Sequence, residues 1–206
     1  MKVGIVDYGA GNVLSVFNSI YNLGYDPVII TQTKKLKSVD KLIIPGVGSA
    51  FKSLEILNKN GFVKEIKNLI GTDIPILGIC LGLQIFSKKL HEDGISAGID
   101  LIDADVLPIN TPNIFNIGWC EVKLDEKISK EINIKKKSDF YFCHSYYIKF
   151  KKKEDSCFGY TNYKVKIPSL IIKQNFMGVQ FHPEKSQTNG IKFLKFFLNW
   201  TPQWII

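Results

Sequence analysis

In the first half of the chain, short apolar runs alternate with amphipathic stretches. Lys2–Asp7 reads as a strand. After it, Val13, Val16, Phe17 and Ile20 recur at helical spacing and predict a helix from about Val13 to Leu23, stopped by Gly24. Asp26–Thr31 and Lys41–Ile44 are the next strands, and helical segments follow up to about Ile70. Ile74–Ile79 is almost wholly apolar, as a central parallel strand buried on both faces should be. Leu81–Leu90 is expected to continue from it as a helix. Strands alternating with helices imply a parallel sheet with right-handed crossovers.

The second half changes texture. Short β-like runs at Trp119–Leu124, Phe140–Phe142, Tyr146–Phe150, Cys157–Thr161, Ser169–Lys173 and Met177–Phe181 are joined by turns and lysine-rich loops. They predict an antiparallel or mixed region added to the sheet. A last helix, about Thr188–Asn199, is expected to bury Ile191, Leu194, Phe197 and Leu198 on one face. The expectation is an α/β fold over residues 1–206 as one domain: a mostly parallel central sheet flanked by helices, with an antiparallel addition.

Composition narrows the function classes. With 206 residues and 45% hydrophobic content the chain can bury a real core. Its longest apolar stretches are too short or too charged for a membrane span, and MKVGIVDYG is not a secretory leader, which points to the cytoplasm and to no membrane partner. The net charge of +8 raises the question of nucleic acid, but all 27 basic residues are lysine. Without arginine, bidentate and stacking contacts to bases and phosphates are lost, so no nucleic-acid partner is expected. The lysine runs Lys34–Lys37, Lys135–Lys137 and Lys149–Lys153 read as solvated loop ends. Cys80, Cys120, Cys143 and Cys157 form no CxxC pair, and with three histidines in the chain no metal site is expected.

Ligands of open α/β sheets sit beyond the carboxyl ends of the strands. Three unusual stretches follow strands there: Tyr8–Asn12, Pro45–Ser49 and Cys80–Gln84. Gly78-x-Cys80-x-Gly82 is the thiol form of a nucleophile elbow, whose flanking glycines let the chain pass close on a sharp turn. The helix after it would point its positive end at the sulfur and favour the thiolate. By itself the pattern better describes a buried cysteine used as a small hydrophobe. A thiol catalyst needs a base held by a third group. In "FHPEKS", His182 follows a strand, Pro183 fixes the turn and Glu184 can reach back to the imidazole. Taken alone that stretch reads first as a solvated turn; Cys80 and it each supply what the other lacks. "PGVGS" offers backbone N–H groups around Val47 and Gly48 which, with the N–H of Leu81, can form an oxyanion hole.

"GICLGLQ" with "FHPEKS" resembles the class I (triad) glutamine amidotransferases, a flavodoxin-like fold. Within them "VDYGAGN", "PGVGSAF", "IGW" and "HSYY" resemble the glutaminase subunits of imidazole glycerol phosphate synthase, essentially end to end. The resemblance implies Cys80 as nucleophile, His182 as proton carrier and Glu184 as its orienter. It implies an oxyanion site at Val47, Gly48 and Leu81, and glutamine binding by Gln84, Glu92, His144, Ser145 and Tyr146. No cofactor is implied. The implied partner is a (β/α)8-barrel cyclase met at Asn12, Trp119, Tyr141 and Lys185, which takes the ammonia to make imidazole glycerol phosphate and AICAR for histidine.

Two stretches depart from that pattern. Cys120 stands where asparagine is usual, and Asp100 and Asp103-Ala104 stand where glycine and Pro-Gly are usual. They direct attention to a runner-up, a paralogous glutaminase subunit that feeds a sugar amidotransferase in surface-polysaccharide synthesis. A non-catalytic relic or a thiol hydrolase of another substrate are rivals of a different class. The intact Cys80, His182 and Glu184 set argues against the first, and Gln84 with "HSYY" against the second.

Overall fold

The computed structural model describes residues 1–109, 115–152 and 156–202; Lys153, the end of the third lysine run, lies outside them. The first half builds β1 (Lys2–Val6), α1 (Val13–Asn22), β2 (Asp26–Ile30), β3 (Lys41–Gly46), α2 (Ala50–Lys59), α3 (Phe62–Leu69) and β4 (Ile76–Cys80). Next come α4 (Leu81–Gln84), β5 (Ser87–Leu90), β6 (Ser96–Ala97) and β7 (Ile102–Pro108). The second half adds β8 (Asn116–Leu124), α5 (Glu126–Ile132), β9 (Lys137–His144), β10 (Tyr146–Phe150), β11 (Cys157–Tyr163), β12 (Val165–Lys173), β13 (Phe176–Val179) and α6 (Gln187–Asn199).

Nine strands form the main sheet in the order β2-β1-β3-β4-β13-β12-β11-β8-β9. Pairing is parallel from β2 to β13 and antiparallel from β13 to β9. The α/β expectation therefore holds, antiparallel extension included. Alternate residues of a strand enter opposite cores. In β3, Leu42 and Ile44 pack with α2 and α3, while Ile43 packs with α1 and α6. Both sides are apolar, so the parallel strands read as continuous hydrophobic runs.

The helix expected over Leu81–Leu90 is corrected. It is one turn, and Ser87–Leu90 is a strand of a second, four-stranded sheet, β10-β7-β5-β6. The carbonyls that would continue the helix are taken elsewhere: Ile85 O accepts from Ile99 N–H, and Phe86 O from Leu101 and Ile102 N–H. Leu83, Ile85, Phe86 and Leu90 are all buried, and no single face of a straight helix could bury them together. In α6 the buried stripe is Gly190, Phe193, Leu194, Phe197 and Leu198; Ile191, expected inside, is 47% exposed because that stripe has no slot for it. Helix α5 was not expected at all.

Candidate active site

Cys80 ends β4 with φ 55° and ψ −104°, the strained backbone of an elbow, and is 3% exposed. The two glycines are required by space. A Cβ on Gly82 would land on the Ile44 carbonyl of β3, and one on Gly78 would strike the backbone of Gly82 and Leu83. With α4 reduced to four residues, the helix-end support expected for the thiolate shrinks to that of a single turn.

Strand β13 lies beside β4 in parallel register, Val179 opposite Ile79, so the chain leaves both strands at one level. His182 follows there. Its N–H donates to Tyr141 O at 2.8 Å, and its carbonyl accepts from Ser186 Oγ at 2.6 Å. Pro183–Lys185 makes a 3-10 turn that brings Glu184 back, and Glu184 Oε1 lies 2.8 Å from His182 Nδ1. Both side chains are 2% exposed. The other ring nitrogen, Nε2, makes no hydrogen bond among the described residues. Burial pulls the imidazole pKa down, but Cys80 and Glu184 together push it up further, to about 10. A histidine raised in this way, with a sulfur and a carboxylate as its neighbours, can hold the sulfur's proton.

Beside the sulfur opens a cavity of about 400 Å³. Its lining contains Val47, Gly48 and Leu81 as well as Gln84, Glu92, His144, Ser145 and Tyr146, every residue the sequence assigned to the oxyanion and to glutamine. Several are already engaged. Glu92 Oε2 accepts from Ala50 N–H at 2.6 Å, which anchors the start of α2 just after the Val47–Gly48 turn. Gln84 Nε2 donates to Tyr146 O at 2.8 Å and to Gln180 Oε1 at 3.2 Å. His144 is held by Tyr146 O at Nδ1 (2.8 Å) and by Asn116 Nδ2 at Nε2 (3.1 Å).

Five contributors were missed: Gln180, Asn116, Cys143 and the exposed apolar pair Phe115 and Ile117. Gln180 could have been found, because it sits two residues before His182 at the end of the same strand. Asn116 could not, since it meets His144 only through the β8–β9 register. Among the described residues, no group of three or more His, Cys, Asp or Glu is gathered to hold a metal.

Three of the four residues assigned to a partner surface stand together. Trp119, 49% exposed, meets the edge of the Tyr141 ring at 6.1 Å, and Lys185 Nζ lies 5.8 Å from that ring's centre. Asn12 caps the start of α1, which packs beside the Pro183–Lys185 turn. Cys120 faces the other way. It is half-buried, its thiol donates to Asn116 Oδ1 at 3.3 Å, and burial raises its pKa against the opposing effect of Asn116. The Asp100 departure occupies a left-handed turn position, φ 65°, which aspartate tolerates. Asp103 pairs with Lys88, and Asp105 with His91 and Lys151, on the four-stranded sheet.

Residues 4–200 match the family model described as glutamine amidotransferase class-I. The chain is 38% identical over 196 residues to the imidazole glycerol phosphate synthase subunit HisH of Caldanaerobacter subterraneus subsp. tengcongensis, covering 95% of this chain and 96% of that one. It is 37% identical to the subunit of the same name from Lactococcus lactis subsp. lactis, covering 96% and 98%. Among solved structures, that of PurLQS from Thermotoga maritima aligns with a TM-score of 0.77 at 19% identity, over 96% of this chain and 97% of that chain, a likeness of fold. By the motif order, the family match and these relatives, the chain belongs to the class-I glutamine amidotransferases, among the HisH subunits of imidazole glycerol phosphate synthase.

Proposed function

We propose that this chain hydrolyses glutamine to glutamate and ammonia at Cys80. We further propose that it passes the ammonia to a (β/α)8-barrel cyclase, the pair forming imidazole glycerol phosphate and AICAR in the cytoplasm. The observation that carries the chemistry is His182, buried, held at Nδ1 by Glu184 and raised in pKa by Cys80. The names of the relatives support the pathway.

In the first half-reaction Cys80 Sγ, its proton already held by His182, bonds to the side-chain amide carbon of glutamine. The oxyanion is met by the N–H of Leu81 and by the Val47–Gly48 peptide. His182 gives its proton to the departing nitrogen, the C–N bond breaks and ammonia leaves a glutamyl thioester. His182 then takes a proton from water, hydroxide adds to the thioester carbon, and sulfur leaves as thiolate with glutamate released. Glu184 keeps Nε2 facing the sulfur throughout. Glu92 is assigned to the substrate α-ammonium, and Gln84, His144, Ser145 and Tyr146 line the same cavity.

Ammonia is protonated in bulk water at neutral pH, so it must be handed over under cover. The cluster of Trp119, Tyr141 and Lys185, with Asn12, is the surface assigned to the cyclase. Of the departures that direct attention to a sugar amidotransferase, Cys120 bonds to Asn116 and Asp103 pairs with Lys88 at the surface.

The test is glutamate release by the chain alone and with the histidine-pathway cyclase carrying its ribonucleotide ligand. Strong stimulation by the liganded cyclase is expected, and Cys80→Ala should abolish release while still binding the cyclase. Full activity in Cys80→Ala would overturn the chemistry. No stimulation by a cyclase competent on free ammonium would overturn the pathway.

A further inference from the structure

Gln180 is fully buried, and a buried primary amide needs partners at both ends. Its surroundings dictate which end faces where. The Tyr146 carbonyl can only accept, so Gln84 must turn its NH2 toward it. The same NH2 faces Gln180, which must answer with Oε1. That leaves the NH2 of Gln180 toward Cys80 Sγ, 3.6 Å away. The β4–β13 register puts the two residues side by side, so the contact is built into the sheet.

We propose that Gln180 is a positioning residue for the nucleophile: its amide donates to Cys80 Sγ, holding the sulfur as thiolate and fixing where it points, with Gln84 setting the amide's orientation. The inference rests on reading Cys80 as the nucleophile. In the thiol form, Sγ–H points to the Cys143 carbonyl at 3.7 Å, an acceptor that favours the proton on sulfur. Once the proton moves to His182, that carbonyl faces a negative sulfur and Gln180 supplies a donor to meet the charge. The one-turn α4 makes such a side-chain donor more important than a helix end. The chain from Tyr146 through Gln84 and Gln180 also ties the glutamine-binding wall to the sulfur.

Gln180→Met keeps the length and volume of the side chain and removes the donor. The readout is the rate of Cys80 alkylation by iodoacetamide between about pH 5 and about pH 9, followed by mass spectrometry of the Cys80 peptide. The midpoint should rise by about one pH unit, and kcat for glutamate release should fall about tenfold with KM within about twofold of wild type. Gln84→Met retains the donor but frees its orientation and should move the midpoint in the same direction by less. If Gln180→Met does not fold, Gln84→Met carries the test. Alkylation profiles that superimpose on wild type would overturn the proposal, even alongside reduced kcat. Because alkylation needs no glutamine, failure of the glutaminase reading is seen separately, as absent glutamate release by the wild type.

Discussion

At His144 both ring nitrogens are committed inside the protein. Asn116 Nδ2 can only donate, so Nε2 accepts and Nδ1–H donates to Tyr146 O. Burial drives the pKa down to about 4, against the Tyr146 carbonyl that favours the proton and with help from the neighbouring His182 charge. A histidine lowered in this way contributes stability that is complete above its unfolded value near 6.5 and is lost as pH falls through about 4. The expected outcome is that wild type loses on the order of 3 kcal/mol relative to His144→Gln between neutral pH and about pH 4, measured by urea unfolding of both. "HSYY" marked this residue as part of the glutamine wall, and it does line the cavity. Its fixed, neutral ring was not legible, because the partners come from β8 and from its own turn. Cys120 is similar: its place in the chain is plain from the sequence, its bond to Asn116 only from the fold.

Elements differ in how plainly they announce themselves. The parallel strands were readable because both faces are buried, and Cys80, His182 and Glu184 because they lie on short motifs at strand ends. The four-stranded sheet was not. Ser87–Leu90 buries only its two ends, which imitates helical spacing, and its pairing partner β7 lies beyond an intervening turn. Yet β7 itself alternates Ile102, Ala104 and Val106 inward, a period of two that could have been read. Helix α5 also carried its signals, an Asp125 cap and Ile128 with Ile132 on one face. Where elements meet, β3 is tied to the end of α6 by Lys41, whose Nζ donates to Trp200 O at 2.5 Å and lies 5.5 Å from the Phe197 ring centre. Burial lowers that amine to about 8, with Asp40 opposing. The unfolded chain binds this proton more tightly, so the contribution is fully present above about pH 10.5 and is lost as pH falls through about 8. Thermal melts of wild type and Lys41→Met should therefore show the wild type gaining on the variant as pH rises across that window.

For the molecule as a whole, the start of β8 sets Phe115, Ile117 and Trp119 in the open, the first two at the cavity. An exposed apolar patch at the rim of such a cavity fits the proposal of a surface covered by a partner. Trp119→Ala should weaken binding of the cyclase by at least about thirtyfold in calorimetry while the melting temperature of the free chain stays unchanged.

The place of β13 in the main sheet has a consequence for synthesis. It sits between β4 and β12, so the parallel and antiparallel halves are joined only when one of the last segments to be made slides in. Until then β4, carrying Cys80, is an open edge made of Ile76, Leu77, Gly78 and Ile79, a surface prone to pair with another chain. The same late strand leads into Gln180, His182 and Glu184. A ribosome-bound chain thus holds the sulfur long before it holds His182 and Glu184, and closing the sheet brings the three together in one event.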